Sequence, residues 1–188
     1  PFVSDLIETD NVAKSIHVAI MSAYSRSEYD VFELGLSELT NLVLEVYAKH
    51  NLVAKIFAGP LDSPITLIPP ILKRFEVIGT DVIQSHYAFD TVVRGLGSIG
   101  YNAIEKNIPE LAKLSSVQLS MLSFRAIDGK LTRPFELVAS QLNLVLFKAI
   151  DENVLELARF IVEQVKLLGH EAIDQGVKTI EKSIADVI

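Results

Sequence analysis

A tripeptide returns along this chain at a fixed interval. Ala103-Ile104-Glu105, Ala126-Ile127-Asp128, Ala149-Ile150-Asp151 and Ala172-Ile173-Asp174 each stand 23 residues from the next. Three letters alone are weak evidence, so the decisive point is whether other columns keep the register. They do. Leu96, Leu119, Leu142 and Val165 form one column, Ile99, Leu122, Val145 and Leu168 a second, and Ile108, Leu131, Val154 and Val177 a third. A fourth holds Leu111, Pro134, Leu157 and Ile180, with Pro134 the misfit. Counted from Ile108, the apolar columns fall at offsets 0, 3, 11, 14, 18 and 19. That is the stripe of an amphipathic helix, not the alternation of a strand. Each unit is one helix of about 18 to 20 residues, roughly 27 to 30 Å long, and a short link. Links so short force successive helices to lie antiparallel.

The punctuation fits. Pro109 and Pro134 sit where a first helical turn tolerates a missing N–H. Thr132 is placed to cap the helix entered through Arg133 and Pro134, Asn153 and Glu156 have capping-box spacing, and Gly129 follows a helix end. The acid of each triplet falls at a helix C-terminus, where the macrodipole disfavours it, so its expected role is to bond backbone N–H groups of the turn or the next helix, as Asp151 can. Upstream, residues Asn11 to Ser25 and Tyr29 to His50 read as helices, the second opened by Ser27 with Asp30 three residues on. Gly59-Pro60-Leu61-Asp62-Ser63-Pro64, followed by Pro69-Pro70, is the strongest break in the chain. A helix resumes over Ile71 to Ser85. The expected organisation is an N-terminal helical hairpin region over 1–58, a proline-rich connector over 59–70, and the repeat region over 71–188.

Composition removes several classes of function. The 188 residues contain no cysteine, which excludes thiol catalysis, iron–sulfur clusters and thiolate zinc sites. The formal charge is −7, and no Lys/Arg run offers a phosphate-tracking surface, so no nucleic acid partner is expected. A mean hydropathy of +0.35 is high for an acidic chain, yet no stretch of about 18 uncharged apolar residues exists to span a bilayer. Pro1 stands first and no signal peptide opens the chain. The expectation is a cytoplasmic domain excised from a longer protein, with any membrane tether in the missing flank.

Four features compete as functional sites. Gly95-Leu96-Gly97-Ser98-Ile99-Gly100 is a literal G-x-G-x-x-G, and in a dinucleotide-binding fold such glycines let a pyrophosphate approach backbone N–H groups between a strand and a helix. In the repeat register, however, Gly95 is the equivalent of Gln118, Gln141 and Gln164, which places the motif inside a helix. Close helix packing is then the simpler reason for these glycines, since Gly79, Gly100 and Gly169 each stand three residues before the pairs Val82-Ile83, Ala103-Ile104 and Ala172-Ile173, where a small residue lets a neighbouring helix cross closely. The Gln118, Gln141 and Gln164 column borders the apolar stripe, and its expected role is to bond an adjacent helix or face water. His17, His50, His86 and His170 are scattered, with no metal-ligand spacing, and no G-x-S-x-G elbow is present. The remaining candidates are apolar residues where a polar surface is normal: Ile65, Leu67 and Ile68 in the connector, and Ile180, Ile184 and Val187 at the end of the array. Short arrays need polar end caps, so this uncapped end points to self-association or a protein partner.

One helix per 23 residues, or 46 per hairpin, resembles HEAT-like α-helical repeats over about residues 85 to 188, although the Asp and Arg positions that usually mark those repeats are not evident. Asp30-Val31-Phe32 and Leu61-Asp62-Ser63-Pro64 resemble pieces of the soluble region of predicted prokaryotic membrane proteins of unknown function. The second resemblance implies a membrane-tethered cytosolic domain and carries over no catalytic residue. The sequence thus predicts an all-α protein of about seven or eight antiparallel helices, arranged as an α-solenoid-like stack or an irregular bundle. It is expected to be a non-catalytic binding or scaffolding domain with neither metal nor cofactor, forming a homo-oligomer or docking a protein partner. The competing reading is a small-molecule or nucleotide-binding protein using Gly95 to Gly100.

Overall fold

The computed structural model describes residues 2–57 and 68–177, and side chains over 8–48 and 69–177. Among these residues the protein is all-α, with seven helices and no strand. The helices are α1 (Phe2–Ser25), α2 (Tyr29–Phe57), α3 (Ile68–Asp81), α4 (His86–Glu105), α5 (Pro109–Asp128), α6 (Thr132–Asp151) and α7 (Leu155–Asp174). None of them is long and apolar enough to cross a membrane. The chain divides into two compact units, Pro1–Ile78 and Gly79–Ile188. The helix after the break starts at Ile68 rather than Ile71, because Pro69 and Pro70 occupy its first turn, where no intrahelical N–H is required. It ends at Asp81 rather than Ser85. Ser85 is extended and caps α4, its hydroxyl accepting the Ala88 N–H at 3.4 Å.

In the first unit, α1 and α2 pair as an antiparallel hairpin. Phe32, Leu36, Leu39, Val43 and Val46 bury one face of α2 at alternating steps of four and three, and Ala13, Ile20 and Ala23 line the buried face of α1. The hairpin is tightest at Gly35, where a Cβ would lie 2.5 Å from Cγ1 of Ile20. Asp10 on α1 accepts from Arg74 on α3 at 2.8 Å and pairs with Lys14 at 2.7 Å. Hydrogen bonds from Lys14 and then Arg74 hold its carboxyl below the ordinary carboxylate pKa.

The second unit is the repeat. Helix α4 packs on α5 and α6 on α7, while α4 also packs on α6 and α5 on both α6 and α7. The result is a two-layer stack, α4 and α6 in one layer, α5 and α7 in the other. The columns read from the sequence are its core: Leu96, Leu119, Leu142 and Val165 are buried, as are Ile99, Leu122, Val145 and Leu168.

Every helix of the repeat ends in the same turn, and this turn explains the tripeptide. The N–H groups of Ile108, Leu131, Val154 and Val177 donate back to the carbonyls of Ala103, Ala126, Ala149 and Ala172 at 2.7 to 2.9 Å. Asn107, Lys130, Asn153 and Gly176 donate to the carbonyls of Ile104, Ile127, Ile150 and Ile173 at 2.9 Å. These paired bonds are a Schellman motif, whose central residue must be left-handed. Asn107, Lys130, Asn153 and Gly176 indeed have φ of 57°, 54°, 58° and 67°. Each alanine is fully buried, and its small side chain leaves room for the apolar residue that closes the turn.

That closing residue is also the N-cap of the next helix. Ile108, Leu131 and Val154 hold this place with no side-chain cap bond. Thr132 and Asn153 are therefore not the N-cap residues: Thr132 lies inside α6, and Asn153 is the left-handed residue of its turn. Gly129 does end α5, but with φ −79°, leaving the left-handed position to Lys130. Ser27 holds the same place after α1, with φ 58°, and Glu28 N–H donates to Ala23 at 2.9 Å. A left-handed non-glycine residue costs about 1 kcal/mol or more. Lys130→Gly should therefore raise the urea midpoint by the equivalent of about 0.5 to 1 kcal/mol, and Gly176→Ala should lower it. A lowered midpoint for Lys130→Gly would show that the lysine is held there without strain.

Candidate interaction surface

Gly95, Gly97 and Gly100 lie in the middle of α4, with their backbone committed to the helix. Among the described residues no strand precedes them, and the strand-to-helix turn on which a dinucleotide cradle depends is not what surrounds them. Two have a packing reason. A Cβ on Gly97 would lie 2.2 Å from Oε1 and 3.2 Å from Cβ of Gln141 on α6. One on Gly100 would lie 3.0 Å from Cγ2 of Val145 on α6 and 3.5 Å from the Ser115 hydroxyl on α5. That hydroxyl donates to the Leu96 carbonyl at 2.5 Å, a bond between α4 and α5 made possible by the close approach.

Many of the charged side chains among the described residues form ion pairs. An open groove of about 720 Å³ between α4 and α6 is lined by Ser98, Tyr101, Asn102 and Ser140 among others, and its charged residues, Asp90 and Arg94, neutralise each other at 2.5 Å. Among the described residues no three His, Asp or Glu side chains gather as metal ligands. Glu76, the buried carboxylate of α3, is paired with Lys73.

Two acids of the repeated tripeptide tie their helix to the one two places along. Glu105 at the end of α4 pairs with Lys148 of α6 at 3.2 Å, and Asp128 at the end of α5 accepts from Gln175 after α7 at 3.0 Å. These are side-chain links across the stack, not the bonds to turn N–H groups expected from sequence. Lys148 also donates to Glu152 at 3.0 Å and lies 4.8 Å above the Tyr101 ring. The bond to Glu152, with that to Glu105, holds its ammonium above the ordinary lysine pKa.

Equivalent residues change environment along the stack. In the tripeptide, Ile104 is 4% exposed and Ile127 fully buried, whereas Ile150 is 49% and Ile173 59% exposed. Tyr101 and Phe124 are half-buried, but Phe147, in the same column, is 61% exposed. Asp151 and Asp174, equivalent to the linking acids, are exposed and make no ion pair among the described residues. The α6–α7 end of the unit therefore presents residues built for a further layer. Both helices carry exposed apolar residues: α7 sets Leu167 and Ile173 among the exposed Arg159, Glu163, Lys166, His170 and Asp174, and α6 presents Leu144, Phe147 and Ile150 ahead of Asp151. Leu155, exposed just past the turn, extends this patch.

Of the surfaces expected from sequence, Ile65, Leu67, Ile180, Ile184 and Val187 lie outside the described residues, and Ile68 opens α3 with its side chain outside them. The α6 patch was not singled out from sequence. The register places Phe147 and Ile150 in their columns but does not say which members of a column are covered. Comparison with protein-family models, with curated proteins and with solved structures finds no match to this chain.

Proposed function

We propose that this chain is a non-catalytic helical-repeat module, HEAT-like in its unit length, that docks an apolar helix of another protein chain on the α6–α7 end. The observation supporting this is the exposure of Phe147 and Ile150 in columns whose earlier members are covered. An acid at the rim, Asp151, stands where Glu105 meets Lys148, so the favoured partner helix carries a basic residue at that position. The faint likeness to soluble regions of membrane proteins fits a cytoplasmic module tethered elsewhere in a longer chain.

Self-association is the form of docking the chain can show alone. Light scattering over a wide concentration range should find a mass that rises above the monomer. Phe147→Asp should weaken the association about ten-fold or more, as the loss of a central aromatic does, without lowering the melting midpoint. A mass fixed at the monomer at every concentration would exclude a second copy as the partner, and an equal rise in mass for both proteins would exclude Phe147 as the anchor of the association.

A further inference from the structure

We propose that the helix docked on α6 is the α6 of a second copy of this chain, run antiparallel about a two-fold axis at the level of Leu142. This rests on the docking reading of the α6 patch and names its occupant. Three observations carry it.

The first is a seam. Arg133, Leu137, Ser140, Leu144, Phe147 and Asp151 follow one another at steps of four, three, four, three and four, the spacing with which one helix packs along another. All are exposed except Leu137, which is half-buried. Leu137, Ser140 and Leu144 also wall the open groove against α4.

The second is that the repeat does not call for these apolar residues. Helix α4 lies in the same layer, and 46 residues before Leu137 and Leu144 it carries Thr91 and Ser98. A helix in this layer therefore holds its place with polar side chains at both positions. The leucines of α6 answer to something outside the stack.

The third is charge. Reversed end for end, the seam sets Arg133 against Asp151, Leu137 against Phe147 and Ser140 against Leu144. An antiparallel copy thus meets each terminal acid with a guanidinium and each large apolar side chain with an apolar or a small one, the self-complementarity that a two-fold interface requires. A parallel copy would set Arg133 against Arg133 and Asp151 against Asp151, which repel. The basic residue that Asp151 favours on a partner helix is therefore present in the chain itself. Within one copy Arg133 is held only at the surface, its Nε donating to His86 at 2.9 Å and its guanidinium 3.6 Å from Glu136, and Asp151 makes no ion pair among the described residues.

A single helix pair lies at the small end of specific interfaces, about 1,200 Å² or less, so the dimer is expected to be weak, with a dissociation constant of micromolar order. Sedimentation equilibrium of the full chain at low salt, taken to about 0.5 mM, should show a monomer–dimer equilibrium for the parent. Arg133→Asp and Asp151→Arg should each weaken it about ten-fold or more, because each sets like charges together at both ends of the seam. Neither change opposes the helix, since an acid in its first turn and a base in its last suit the macrodipole. An equimolar mixture of the two variants should associate as tightly as the parent, each copy now meeting its opposite charge at both ends. A parent that stays monomeric, single variants that dimerise like the parent, or a mixture no tighter than either variant alone would overturn the proposal. Should either variant fail to fold, cysteine pairing decides, because the chain has no cysteine of its own. Chains carrying Ser140→Cys and Leu144→Cys should cross-link to each other about ten-fold faster than either does to itself, and equal rates would overturn the two-fold pairing. Association that is lost in Phe147→Asp but shows no such complementation would overturn this pairing and leave the docking reading standing, so the two fail separately.

Discussion

Gly100→Leu is expected to destabilise the repeat unit by at least about 3 kcal/mol, the upper range for overpacking a core. A Cβ at this position already lies 3.0 Å and 3.4 Å from the two methyl groups of Val145 and 3.5 Å from the Ser115 hydroxyl. Three further carbons have nowhere to go, since Val145 and Ser115 are both fully buried. Pushing α5 away would also break the 2.5 Å bond from Ser115 to Leu96, leaving a buried hydroxyl unpaired at a cost of about 1 to 3 kcal/mol. Gly97→Ala provides the contrast. Its nearest obstacle is the amide end of Gln141, which can swing aside, and alanine gains about 1 kcal/mol of helix propensity. Urea titration should thus place Gly97→Ala near the wild type and Gly100→Leu far below it. Adding Val145→Ala to Gly100→Leu should recover part of the loss, since the two sites share one contact. A Gly100→Leu protein as stable as the parent would mean that α4 and α6 are not held at the separation described.

The contrast between these two glycines bears on how much of the molecule its sequence disclosed. The 23-residue columns located the helices of the second unit and about half of the buried positions in them, because burial on a helix repeats with the turn and leaves a periodic trace. The local turns were less legible. A left-handed Lys130 or Asn153 carries no compositional mark as strong as glycine's, so Gly129, Thr132 and Asn153 attracted roles that belong to their neighbours. Nor does a single column say which helix lies opposite, and for that reason Glu105 and Asp128 gave no hint of their partners on α6 and α7. The same limit hid the α6 patch: Ile150 and Ile104 are the same letter in the same motif, and only the stack shows that one is covered and the other is not.

Helix α5 is where packing departs most from a simple stripe, and the second large effect is expected there. It touches α4, α6 and α7, so it buries residues on nearly all sides. Serine serves on the crowded faces because it is small and can satisfy its hydroxyl at once. Ser116 and Ser120 donate to the carbonyls of Ala112 and Ser116, one turn back in the same helix, at 2.9 and 3.0 Å. Leu122, by contrast, is the fully buried side chain against which Gly79 rests, with its methyl groups 2.9 and 3.0 Å from where a Cβ on that glycine would be. Leu122→Ala should cost about 2 to 5 kcal/mol, the range for a leucine removed from a core that cannot close over the cavity. In that background Gly79→Ala finds room and should restore part of the stability, whereas in the parent it should be destabilising because the leucine methyls block it. One residue further on, the prediction reverses sign. Ser123 is fully buried and its hydroxyl has no partner among the described residues, so Ser123→Ala should stabilise by about 1 kcal/mol through removal of an unpaired polar group. Opposite shifts in the denaturation midpoint from adjacent positions are hard to obtain from any general weakening of the helix. A loss at Ser123→Ala comparable to that at Leu122→Ala would show instead that the serine hydroxyl is bonded, and that α5 sits in the stack at a different rotation.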